Sequence, residues 1–61
     1  MYRILIQRDK KVLGVLERTF DSSEEIDAYI DAHYPDCFYS TEFVDTARVN
    51  EWVRKFGILP Q

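Results

Sequence analysis

A chain of 61 residues that is 46% hydrophobic, with nine aromatic side chains and only two glycines and two prolines, reads as one compact globular domain spanning residues 1–61, because neither half alone would bury enough apolar surface to offset backbone ordering. One cysteine and one histidine exclude an intramolecular disulfide and fall short of a structural zinc set, and the longest apolar run near the start, Ile4–Ile6, is far too short for a membrane span. The net charge of −3 is unevenly spread: residues 1–18 sum to +3, residues 19–47 to −8 with no lysine or arginine, and residues 48–61 to +2.

The first elements are strands. Residues 2–7, YRILIQ, alternate and are rich in branched side chains, as are residues 12–20, and RDKK between them is a polar turn. Together they predict a β-hairpin closed by a two-residue loop at Asp9-Lys10. That loop would set Ile4 opposite Val15, Ile6 opposite Leu13 and Leu5 opposite Gly14. One apolar face would then hold Tyr2, Ile4, Ile6, Leu13 and Val15, and the other Leu5, Val12 and Leu16.

A helix follows. Ser22 with Glu25 three residues on is a capping-box spacing, and acids at Glu24 and Glu25 suit the positive end of the helix dipole. Ile26, Tyr29, Ile30 and His33 recur at helical spacing, and Pro35 stops the helix near Tyr34. Residues 37–44, CFYSTEFV, predict a third strand, with Cys37, Tyr39 and Phe43 as its more apolar set. Asp45 or Thr46 then caps a second helix with a stripe of Val49, Trp52, Val53 and Phe56, ended by Gly57, after which Ile58 and Leu59 are expected to fold back over its last turn. Phe20 to His33 also echoes Phe43 to Phe56 at a shift of 23 residues, an echo that any two capped amphipathic helices leaving strands would produce.

The order ββαβα predicts an α+β domain in two layers: a three-stranded sheet, with β-strand 1 in the middle, and both helices on one face. The outer sheet face would then expose Leu5, Val12, Leu16, Phe38 and Val44 as an apolar patch, a surface for a partner or for a second copy in a homodimer; the alternative is that the second helix wraps to that face and buries it as core. Self-association would also support a core that yields only a few kcal/mol.

Chemistry is sparse. His33, Asp36 and Cys37 are the types of a nucleophilic set, but the histidine falls on the apolar side of a helix end and the cysteine begins a strand, so a half-buried histidine and a small buried thiol are expected. Glu24, Asp27 and Asp31 share one side of the first helix without a second ligand-bearing segment. No phosphate-binding glycine loop is present in the sequence. The expectation is therefore a non-catalytic protein with no cofactor and no metal, and the free cysteine suits a reducing, cytoplasmic setting.

Capping accounts for the first acids of the middle segment but not for Asp27, Asp31 and Asp36. The leading expectation is an accessory or inhibitor protein that uses Glu24, Asp27, Asp31 and Asp36 to dock on a basic surface of another protein. A second reading, from a different class, is nucleic-acid binding through Arg8, Lys10 and Lys11 at the hairpin turn.

Overall fold

The computed structural model describes residues 1–59. Elements run β1 (Tyr2–Arg8), β2 (Lys11–Leu16), α1 (Ser23–His33), β3 (Phe38–Phe43), α2 (Ala47–Phe56) and β4 (Ile58–Leu59). The class is α+β, as the sequence implies, but the sheet has four strands in the order β3-β1-β2-β4. β1 is antiparallel to both neighbours and β4 is parallel to β2, giving a mixed sheet.

The hairpin turns at Asp9 and Lys10, whose φ values of 53° and 66° make the two-residue turn whose twist matches that of paired strands. Its expected register holds only for the first two pairs, Arg8 with Lys11 and Gln7 with Val12. Ile6 then meets Gly14 and Leu5 meets Val15. Leu13 is the additional residue of a β-bulge, and every later β2 side chain is turned to the opposite face. Ile4 and Ile6 consequently share their core with Leu16, not Val15.

Ile4, Ile6, Leu16, Phe20, Ile26 and Ile30 form one buried cluster on the face covered by α1. Leu5, Val15 and Val49 are buried outside that cluster. Leu5 follows and precedes residues that point to α1, so strand alternation sends it to the other face, where the Val49 side of α2 covers it. The helices thus lie on opposite faces of the sheet, not on one. The connections explain why: β2-α1-β3 crosses the sheet in one direction and β3-α2-β4 returns in the other. Two right-handed crossovers of opposite direction must use opposite faces.

Residues 58 and 59 do not fold back over the helix. Gly57, at φ 78°, ends α2 and receives the Val15 N–H at 3.0 Å, and Ile58 and Leu59 then pair with Val15 and Leu16. Leu59 packs on the α1-side core through the space above Gly14. A Cβ on Gly14 would stand 2.9 Å from Leu59 Cγ, and its φ of 147° already disfavours any other residue.

Candidate interaction surface

Both helices are capped, the first with the glutamate reaching one residue beyond the Ser22 cap. Glu25 N–H donates to Ser22 Oγ at 3.2 Å and the Glu25 carboxylate accepts from Asp21 N–H at 3.3 Å. Of the two candidates for the second helix, Thr46 is the cap, accepting from Val49 N–H at 3.1 Å. Asp45 instead takes a left-handed turn position at φ 69°, as does Asp36 at φ 65°, a conformation that aspartate tolerates better than most residues.

These roles divide the acids of residues 19–47. Glu25 also meets Arg18 at 3.4 Å, Glu42 meets Arg48 at 3.7 Å, and Asp27 accepts a hydrogen bond from the Tyr39 hydroxyl. That bond, with the adjacent carboxylate charge, raises the Tyr39 pKa above its ordinary value. Glu24, Asp31 and Asp36 are exposed and make no ion pair among the described residues. Because residues three and four apart share one side of a helix, Glu24 and Asp31 flank Asp27, and the Asp27 to Tyr39 bond fixes that side toward β3.

β3 is an edge strand. Tyr2 exchanges its two backbone bonds with Phe20, at 2.7 and 2.9 Å, on the β2 side of β1. Alternation then aims the backbone groups of Arg3, Leu5 and Gln7 at β3, where they face Glu42, Ser40 and Phe38. The N–H and C=O groups of Tyr39, Thr41 and Phe43 therefore point away from the sheet, along an edge that no described residue pairs. The strand contains no lysine and no proline, two residues that commonly protect such edges. Phe38 and Phe43 are 76% and 58% exposed, and Phe43 stacks on Tyr2 with ring centroids 4.8 Å apart.

Beside this edge, on the α1 face, is an open pocket of about 400 Å³ lined by Tyr2, Asp21, Ser22, Ser23, Ile26 and Thr41. Its floor is apolar, since Ile26 is buried, and Asp21 supplies an exposed carboxylate. The sheet strands on either side of β1 both end here, and their helices leave to opposite faces, a place where open α/β sheets form crevices.

The predicted apolar patch does not exist as one surface. Leu5 and Leu16 are buried, at 4% and 0% exposure, and face opposite sides of the sheet because of the bulge. Val12 and Val44 are half-buried and only Phe38 is fully exposed. His33 is exposed, not half-buried, and its ring lies 4.3 Å from that of Tyr29. Cys37 is half-buried against the α1-side core. Among the described residues no group of three or more metal-ligating side chains converges.

The basic residues separate into two sets. Arg3 donates to the Leu16 carbonyl at 2.9 Å, and Arg18 lies over the rings of Phe20 and Tyr29, at 5.0 and 4.8 Å. Arg8, Lys10 and Lys11 are exposed at the turn and outside any ion pair among the described residues. Tyr39, Thr41 and Asp21 are the surface residues that sequence reasoning missed. The available signal was a β-strand with neither lysine nor proline following an acidic helix. No described helix is long and apolar enough to cross a membrane. Compared with known protein families, curated proteins and solved structures, the chain matches none.

Proposed function

We propose that this protein is a non-catalytic interaction module of the cytoplasm, an accessory or inhibitor protein that docks on a basic surface of another protein through the β3-facing side of α1. One observation carries the reading: Glu24 and Asp31 stand exposed beside Asp27 and form no ion pair among the described residues. On α2, by contrast, Glu51 meets Lys55 one turn away at 3.1 Å, which holds its carboxyl below the ordinary range. Uncompensated like charge on a helix is mildly unfavourable, and a cationic partner supplies the missing compensation while steering encounter.

The test compares tagged wild type with a Glu24→Lys/Asp31→Lys variant in nuclease-treated lysate across a salt series. A protein retained by wild type, released at high salt and lost from the variant is the expected result, with both proteins unfolding at similar temperatures. Equal capture by the two removes the acidic surface from the reading.

Arg8, Lys10 and Lys11, exposed and outside any ion pair among the described residues, favour a second reading, contact with nucleic-acid phosphates through the hairpin turn. It requires a labelled oligonucleotide to bind with an affinity that rises as salt falls and disappears when those three side chains are neutralised. Binding unaffected by the substitutions would reject it.

A further inference from the structure

The geometry points to a specific mode for that docking: the partner contributes an extended segment, alternating basic and apolar residues, that adds to the open edge of β3 and seats a lysine or arginine in the neighbouring pocket. The inference rests on the basic-partner reading and goes further, naming the form of the partner and the atoms that receive it. An added strand bonds to outward N–H and C=O groups, and Tyr39, Thr41 and Phe43 present them. The side chains of these three residues lie on the α1 face, as those of Ile4 and Ile6 do. Residues of the incoming strand opposite them point to the same face.

That face selects positive charge. A residue opposite Thr41 stands over the pocket that Thr41 lines, where Tyr2 and Ile26 offer an apolar bed and Asp21 a carboxylate. A long aliphatic stem with a cationic end matches that arrangement. Asp27 lies along the same side, held there by the Tyr39 hydroxyl, and Asp31 stands one helical turn further on. On the opposite sheet face the intervening residues of the new strand run beside Ser40 and the exposed ring of Phe38, where an apolar side chain finds contact.

A second copy of this chain is a poorer occupant. Antiparallel self-pairing of β3 would bring two α1 helices to one face, with their acidic sides toward each other. Like charges so placed oppose the pairing, whereas a basic strand neutralises them.

The test uses the whole protein and a short peptide that alternates lysine with valine, followed by amide NMR and hydrogen exchange. At saturating peptide, the amides of Tyr39, Thr41 and Phe43 are expected to exchange about tenfold or more slowly, while the inward-bonded amides of Phe38, Ser40 and Glu42 change little. Asp21→Asn and Asp31→Asn should each weaken the peptide about threefold to fivefold, the range of an exposed charge contact. The same peptide N-methylated at alternate residues keeps its charge and loses its strand donors, so it should not bind.

Equal binding by the N-methylated peptide, without protection of β3 amides, overturns strand addition and leaves the charge-based reading standing. No perturbation of β3 by any peptide also overturns it; the lysate comparison with the charge-reversed variant then decides the broader reading separately. Protection of the same three amides without peptide, accompanied by concentration-dependent sedimentation as a dimer, would assign the edge to a second copy and reject the proposal.

Discussion

The two faces of the sheet hold unequal shares of this molecule. The α1 face buries six large side chains in one cluster, including Phe20 at 0% exposure, and Arg18 lies over two of its aromatic rings. The α2 face buries Leu5, Val15 and Val49. Surface charge shows a parallel contrast: α2 matches its acid to a lysine and lends Arg48 to Glu42, while on the side of α1 toward β3 Glu24 and Asp31 form no ion pair among the described residues. The better-packed face thus carries the less compensated surface. Fold stability and candidate binding are concentrated on one side, and the helix that anchors the core also presents the charge.

Two substitutions test that contrast, beginning with the larger effect. Phe20→Ala removes a ring at the centre of the α1-side cluster and should cost about 3–5 kcal/mol, enough to leave a domain of this size largely unfolded by circular dichroism. Val49→Ala on the α2 face should cost about 1–3 kcal/mol and retain a cooperative transition. Comparable losses at the two sites would mean that the faces share stability evenly.

Gly14 and Gly57 form the next pair. Ala at Gly14 meets Leu59 and a strained φ, an expected loss of about 1–3 kcal/mol in urea unfolding. Ala at Gly57 meets no atom within 4 Å, so only the backbone conformation, φ 78° with ψ 177°, is penalised and the cost should be about 1–2 kcal/mol. A larger loss at Gly57 would show that the bulge contributes less than the helix end.

The smallest effect is at Tyr39. Tyr39→Phe deletes the bond to Asp27 and should lower stability by about 1 kcal/mol or less, since that bond is exposed. Because the folded state raises the Tyr39 pKa, the contribution is complete below the ordinary tyrosine value of about 10 and is lost as pH rises through the raised one. The stability difference between wild type and Tyr39→Phe should therefore vanish under strongly alkaline conditions. A difference that persists there would mean that the hydroxyl acts through packing.

Much of the candidate surface was legible as composition but not as geometry. The cation-free segment is plain in residues 19–47, and so is the i, i+3, i+7 spacing of Glu24, Asp27 and Asp31. Which acids are already engaged was not. Asp27 finds its donor twelve residues away on β3, and Asp36 and Asp45 serve turns whose backbone conformation depends on what they join. Placing β1 in the middle already made the third strand an edge, but which of its backbone groups point outward was hidden, because alternation alone does not fix the register.

The sequence by itself determined the first helix start, through Ser22, narrowed the second to Asp45 or Thr46, and set both helix ends, through Pro35 and Gly57, and a hairpin turning at Asp9-Lys10. These are local matters, fixed by caps, turn residues and side-chain period within a few positions. Only the tertiary structure decided the bulge at Leu13, the fourth strand at Ile58 and Leu59, and the placement of α2 on the far face. The physical reason is shared. With two apolar sides on one hairpin, a single face cannot bury Ile4, Leu5, Ile6, Val15 and Leu16 together, and covering both takes helices on opposite faces, a matter of packing partners that lie far along the chain.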